Sequence, residues 1–386
     1  MTVTRAGAAV AGCAVLLCAA AIAADYPELL VFAAGCAAAL ALAAVWVAGS
    51  RVRLATSRAF TPPQPSDGQT VTVTLAVTNL SARPSPPVLA VDEIGGVRYE
   101  APVPALGGYE QRTVAYEFTA GRRGALRVGR TSVGHRDPFG LLSAARPTGQ
   151  EGVLRVHPRR HGGVLPLTAV GVDGDGRSAT AVPYDDIAFH SLRDYQPGDP
   201  LRLIHWRSTA KRGVATVRQP AAPDEPEQML LLDTDAAVCS AERFEDAVRI
   251  TASLAAAVRA AGLGLDLRTT GDDPPVRLVR TMRPGADHGP ALDLLCDVEQ
   301  APRGPGLAAV LAGLPTPPEG AVLGVVTGRL SDAAAAAFAG VRRRFRAVYL
   351  VQVGAAGPPG GVNGVVHTSV ETSEDFVTAW NLLVRP

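Results

Sequence analysis

Between Phe189 and Gln219 the chain gathers the residue types that bind anions and partners. Arg193, Arg202, Arg207, Lys211, Arg212 and Arg218 cluster there, in a chain whose 37 Lys and Arg nearly balance 36 Asp and Glu. Guanidinium groups hold carboxylates and phosphates through paired N–H donors. Gln196-Pro197-Gly198-Asp199 is a turn signature, in which Pro sets φ and Gly accepts positive φ. Ile204 and Trp206 alternate with His205 and Arg207, as if one face were anchored and the other presented. The segment can be read as a structural hairpin whose arginines pair with Asp194 and Asp199. It can also be read as a recognition surface for a protein or an anionic ligand, or, last, as a catalytic site.

Other constellations point to little chemistry. His157 and His161 stand four apart, a spacing that suits a metal on a helix, but Pro158 and Gly162-Gly163 argue against a helix there. No GxSxG elbow, HExxH, P-loop or strand-borne GxGxxG occurs. The run Gly171-Val172-Asp173-Gly174-Asp175-Gly176 lacks the length and terminal Glu of a calcium loop. Asp272-Asp273, followed by two prolines, reads as a solvated loop. Of the five cysteines, Cys13, Cys18 and Cys36 lie in apolar runs, and Cys239 and Cys296 stand alone. That usage indicates neither a disulfide scaffold nor a zinc site, and it fits a reducing compartment. A net charge of +1 argues against wholesale nucleic-acid binding, which needs a clustered positive surface.

The elements that must position the basic segment begin with an anchor. Residues 6–24 and 29–49 carry no charge, and each is long enough to cross a bilayer core. Asp25-Tyr26-Pro27-Glu28 separates them, Arg5 precedes the first, and Arg51, Arg53 and Arg58 follow the second. The positive-inside rule then puts both outer ends, and the bulk of the chain, at the cytoplasmic face of the cell membrane as a multi-pass protein. A cleaved signal ending near Ala24 is the rival reading of the first run, and would leave the second as the anchor. Val10-Ala11-Gly12-Cys13 resembles a lipobox, but its apolar lead is too short.

Residues 59–68 read as a stiff linker. Val71, Val73, Leu75 and Val77 alternate with Thr72, Thr74 and Thr78, the pattern of a half-buried strand. Further strand-like stretches at 88–92, 111–118, 125–133 and 152–156 suggest an antiparallel β-sandwich over 56–160, after a transmembrane hairpin over 1–55. Residues 161–228 hold a connecting loop (161–186) and the basic segment. From 229 to 386 strand and helix alternate: strands at 229–232, 263–269, 321–327 and 347–353; helices at 241–261, 288–299, 306–313, 331–345 and 374–384. Gly262 fits the residue after a helix, and Ser331 with Asp332 fits a helix start. This order predicts an open, mostly parallel α/β sheet covered by helices on both faces.

The spacing Arg193-x-Tyr195-x-x-Gly198-Asp199-x-x-Arg202-x-Ile204-x-Trp206, followed by Ser208-Thr209-Ala210-Lys211, resembles the signature of the bacterial domain-of-unknown-function family fifty-eight (DUF58). The order of parts is similar too: a membrane hairpin, a β-rich segment ending in a motif like Asp137-Pro138-Phe139-Gly140-Leu141, the signature, and a von Willebrand factor type A-like domain. His205 departs from the smaller polar residue expected there. Arg193, Tyr195, Gly198, Asp199, Arg202, Ile204, Trp206 and Lys211 carry this signature and are expected to form an interaction surface; the resemblance implies a MoxR-type AAA+ ATPase as a candidate partner.

Type A domains often bind a divalent cation through Asp-x-Ser-x-Ser after the first strand, helped by a distant Thr and Asp. Here the matching run is Asp233-Thr234-Asp235-Ala236-Ala237, and Thr327-Gly328 stands where an Asp-Gly is expected. At least two oxygen ligands are lost, so Asp233 and Asp235 remain as weak candidates for Mg²⁺. The expectation is a membrane-tethered, non-enzymatic adaptor that meets lipid and a protein partner, with no cofactor and no nucleic acid. The alternatives are a metal-dependent enzyme or adhesion module centred on Asp233 and Asp235, and an anionic-ligand or lipid site at Arg193–Arg218.

Overall fold

The computed structural model describes residues 1–50, 53–167, 189–195, 206–220, 228–271, 274, 276–278, 289–302, 304–318, 320–354 and 362–384. The chain divides into two units, Met1–His157 and Pro158–Pro386.

The first unit opens with β1 (Thr2–Val3), α1 (Arg5–Ala24) and α2 (Glu28–Gly49). Thr4 caps α1, its hydroxyl accepting from the Gly7 amide at 3.0 Å. Among the described residues, α1 and α2 are the helices long and apolar enough to cross a membrane, and most of their side chains are exposed. Nine antiparallel strands follow: β2 (Leu54–Thr61), β3 (Thr70–Asn79), β4 (Val88–Ile94), β5 (Val97–Val103), β6 (Gln111–Thr119), β7 (Gly124–Val128), β8 (Thr131–Arg136), β9 (Leu142–Thr148) and β10 (Gly152–Val156). They form two sheets, β2-β3-β6 and β1-β9-β8-β4-β7-β10, with β5 also paired to β4.

Alternation along β3 decides which face is buried. Val71, Val73, Leu75 and Val77 are fully enclosed, and they pack against Ile94, Val128, Val88 and Val133 of the larger sheet. Each such side chain contributes about 1.5–3 kcal/mol. One polar cluster also joins the sheets. Asp92 of β4 is 1% exposed and accepts from Arg58 Nη1, from Tyr116 Oη at 2.6 Å and from Thr131 Oγ1 at 3.3 Å. Burial, then the neighbouring Asp92 carboxylate, pushes the Tyr116 phenol well above its ordinary pKa.

Two expectations change here. The stretch 59–68 is not a linker throughout, because Ala59, Phe60 and Thr61 complete β2 and pair with Thr74, Val73 and Thr72. Pairing stops at Pro62-Pro63, which have no N–H to donate. The stretch 125–133 divides into β7 and β8 at Gly129-Arg130, and the two strands lie on opposite sides of β4, β7 beside β10 and β8 beside β9.

The second unit begins with a segment that packs on it. Leu167 is buried in its core, the His161 amide donates to Ser253 Oγ at 2.9 Å, and Trp380 Nε1 donates to the Leu165 carbonyl at 2.8 Å. The expected connecting loop is therefore fixed over 161–167, and 168–186 lie outside the described residues. Next, β11 (Phe189–Asp194) and β12 (Thr216–Pro220) pair antiparallel around α3 (Trp206–Arg212).

The remaining chain is β13 (Gln228–Leu232), α4 (Ala241–Ala260), β14 (Leu265–Thr269), β15 (Val276–Leu278), α5 (Gly289–Asp297), α6 (Gly306–Gly313), β16 (Val322–Thr327), α7 (Asp332–Val341), β17 (Ala347–Val353), β18 (Val366–Val370) and α8 (Ser373–Val384). The strands form one sheet in the order β15-β14-β13-β16-β17-β18, parallel except at β15. Every residue of β13 and β16 is buried, as befits strands covered on both faces. Residues of α4, α5 and α8 cover one face around Phe244, Leu254 and Trp380; residues of α6 and α7 cover the other around Leu311 and Phe338. Ser240 and Ser331 cap α4 and α7, and Gly262 at φ +73° follows α4. Helix α7 ends four residues earlier than the run 331–345 suggests, and Phe345 turns inward beyond it.

Candidate functional site

In an open parallel sheet, ligands settle outside the carboxyl ends of the strands, where the chain order reverses. Here that point lies between β13 and β16: β14 extends the sheet from one side of β13, and β16 from the other. Asp233 is the first residue beyond β13, and its amide donates to the Val326 carbonyl at 2.9 Å. The residue is 1% exposed.

A buried carboxylate needs donors. Asp233 Oδ1 accepts from Thr270 Oγ1 at 2.9 Å and from the Asp235 amide at 3.2 Å, and Oδ2 accepts from Thr327 Oγ1 at 2.7 Å. Thr270 follows β14 and Thr327 ends β16, so three neighbouring strand ends each supply one group. Thr270 Oγ1 also receives the Thr234 amide at 2.8 Å. The knot is roofed by backbone. The Ala301 amide donates to the Thr234 carbonyl at 2.8 Å, and the Arg329 amide to the Val238 carbonyl at 2.8 Å. A Cβ on Gly328 would lie 2.3 Å from the Val238 oxygen, so only glycine permits this approach.

The donor set does not suit a divalent cation as it is folded. Both Asp233 oxygens are taken by protein donors, while Asp235 Oδ1 turns away to accept from the Ala237 amide at 2.9 Å. Hard cations want several oxygens converging on one point. Among the described residues, no three His, Cys, Asp or Glu side chains gather in that way.

Beside the knot lies a cleft of about 560 Å³ lined by Ala236–Ser240, Arg243, Arg329 and Gly354. Arg243 Nη1 donates to the Gly354 carbonyl at 2.6 Å, and Gln300 Nε2 to the Cys239 carbonyl at 3.0 Å. Burial, then the Asp233 charge, raises the Cys239 thiol pKa, which favours the protonated thiol over the thiolate. A relay continues along the edge: Gln352 Nε2 donates to the Gly328 carbonyl at 3.0 Å, and Gln352 Oε1 lies 2.8 Å from His367 Nε2. Burial lowers the His367 pKa, which favours the neutral ring that donates to Gln352. Sequence reading marked neither Thr270, Gln352 nor His367. For Thr270 the available signal was a hydroxyl just beyond an apolar strand.

The basic segment is only partly described. Gly198, Asp199, Arg202 and Ile204 lie outside the described residues. Arg193 sits on β11 opposite Val217, and the Tyr195 amide donates to the Ala215 carbonyl at 2.8 Å. Trp206 opens α3 with 69% of its surface exposed, and Lys211 on the same helix is exposed. The Thr216 amide donates to Thr209 Oγ1 at 3.0 Å, tying α3 back to β12.

A mostly parallel α/β unit with a sealed acid at its switch point, preceded by a small hairpin bearing an exposed tryptophan, defines the class of this module. Residues 191–348 match the family model described as Protein of unknown function DUF58. No curated protein matches it. Among solved structures it is similar to the CARDB domain of a Pyrococcus furiosus protein in complex with di-metal ions, at 17% identity over 26% of this chain and 94% of that one, with a TM-score of 0.20. It is also similar to a Pseudomonas fluorescens alkylpurine DNA glycosylase bound to DNA, at 15% identity over 33% and 40%, TM-score 0.20. A Listeria innocua β-glucosidase gives 14% identity over 26% and 16%, TM-score 0.17. Likeness at this level says nothing of what this chain does.

Proposed function

We propose that the chain is a membrane-tethered adaptor that holds a protein partner through its signature segment. In this reading α1 and α2 span the cell membrane, the flanking arginines keep both outer ends cytoplasmic, and the second unit is a von Willebrand factor type A-like module. Its strand order, with one antiparallel edge strand, supports that assignment. The observation that carries the adaptor role is Trp206. A tryptophan left 69% exposed on a helix tied to its hairpin is an unfilled anchor, the type of residue that dominates protein interfaces. The closed knot at Asp233 supports a binding role over a metal-dependent one. Family resemblance makes a MoxR-type AAA+ ATPase the partner to try first.

The test uses the full chain in detergent and a purified MoxR-type ATPase. Loss of a central anchor costs about 2 kcal/mol or more, so Trp206→Ala raises Kd about thirtyfold. Binding of equal strength by wild type and Trp206→Ala removes the segment from this role, and no binding by wild type removes the partner.

A further inference from the structure

The first unit has one end into which both apolar helices are rooted. Thr4 Oγ1 lies 2.5 Å from the Gly140 carbonyl and 2.9 Å from that of Leu141, and the Thr4 amide donates to Leu141 at 3.0 Å. Helix α1 therefore starts on the turn Asp137-Pro138-Phe139-Gly140. Asp137 is buried and shapes that turn, accepting from the Phe139 amide at 3.0 Å and the Leu142 amide at 2.7 Å. Helix α2 ends at the same place, with His135 Nε2 3.2 Å from the Val47 carbonyl. Trp46, half exposed, marks that level of α2, as aromatic residues do at bilayer interfaces.

What this end presents is unusual for a water-facing surface. Phe139 is 69% exposed and Tyr109 72% exposed, each at a loop tip. The Tyr109 amide donates to the Ser81 carbonyl, and the Leu80 amide to the Arg53 carbonyl, so the Tyr109 tip lies next to Arg53. Arg53 and Arg146 line one cleft of about 260 Å³, and Arg136 is exposed on the strand beside it. The two carboxylates described here are occupied: Asp137 by amides, Glu110 by Arg112 and the Gly107 amide.

We propose that this end of the unit is a second membrane contact. Phe139 and Tyr109 enter the headgroup layer, and Arg53, Arg136 and Arg146 engage the phosphates of anionic phospholipids in the leaflet that α1 and α2 enter. The proposal rests on the anchoring reading above and adds the lipid class and the residues that read it. Aromatic tips give interfacial depth, and each arginine near an anionic surface adds about fivefold to the preference for it.

The experiment reconstitutes the full chain in vesicles of phosphatidylglycerol and phosphatidylcholine. The retention of the chain after alkaline carbonate washing reads the anchor separately. In a background carrying Trp46→Phe and Trp206→Phe, the fluorescence added by Phe139→Trp is expected to be quenched by lipids brominated near the headgroup. Spin-labelled phosphatidylglycerol is expected to be enriched around the chain over phosphatidylcholine. Arg53→Gln with Arg146→Gln lowers that enrichment by several fold, and Arg98→Gln, on a strand leading from the opposite hairpin, leaves it unchanged. Absence of quenching in the Phe139→Trp chain, or equal enrichment in all variants, in chains that resist carbonate overturns the lipid contact and spares the anchor. Release by carbonate overturns both.

Discussion

Replacing Asp233 by Ala removes the acceptor at the centre of the knot. Thr270 can then turn its hydroxyl to Thr234 Oγ1, 3.2 Å away. Thr327 cannot, because its hydroxyl donates to Asp233 Oδ2 and has no second described acceptor. The loss is three hydrogen bonds to a charged group, the two from hydroxyls at about 1.5–3 kcal/mol each and a longer, weaker one from the Asp235 amide, plus one orphaned hydroxyl, less the recovered cost of burying a charge. The net is about 2–4 kcal/mol. Asp233→Asn keeps the shape and one acceptor, and its amide can donate to a hydroxyl, so it costs about 1 kcal/mol. For a unit of this size the two substitutions lower Tm by roughly 10 °C and 3 °C. Trp380, enclosed by Tyr349 and Phe376, reports unfolding of this unit by fluorescence once Trp46 and Trp206 are replaced by Phe. The order must hold equally with and without Mg²⁺. A variant Asp233→Ala as stable as wild type, or a difference seen only with Mg²⁺ present, refutes the closed-knot argument.

Three further outcomes follow from the geometry. Gly328→Ala forces a Cβ against the Val238 carbonyl and lowers the urea midpoint of the second unit by about 1–3 kcal/mol equivalent, read by the same Trp380 signal. His367 has a folded pKa below its ordinary value near 6.5, so its contribution to stability is complete above about pH 6.5 and is lost as pH falls through the lowered value. His367→Gln therefore flattens the decline of Tm between about pH 6.5 and 5. Asp92→Ala leaves the Arg58 guanidinium in the sandwich with only the carbonyls of Gly129 and Gln150, at a cost of about 3 kcal/mol. Hydrogen exchange at β3 and β4 amides reads that loss, and unchanged protection contradicts the role given to Asp92.

Much of the framework is legible in the residues, because burial imposes a period on them. The threonine–valine alternation of β3, the leucine run of β13 and the cap serines at 240 and 331 each declare their element from within a few positions. Strands that depend on a distant partner do not. β9 carries Arg146-Pro147 and half-exposed small residues, and it exists because β8 and β1 pair with it. β2 hides its pairing behind Pro62-Pro63. The knot is illegible for the same reason: Asp233 was marked, but Thr270 and Thr327 are ordinary residues whose meaning comes from the ends of neighbouring strands meeting. For the basic segment, Trp206 and Lys211 were marked, and the structure adds that they share one short helix.

The pairing of β1 with β9 sets an order on biogenesis. Thr2 and Val3 leave the ribosome ahead of the two apolar helices, yet Ser143 and Leu142, which receive them, are made far later. Both apolar helices must thus be made before that edge can close, and the Thr2–Val3 segment waits for its strand. A bulky fusion placed ahead of Thr2 would obstruct this last step while leaving the synthesis and folding of β8 and β9 untouched.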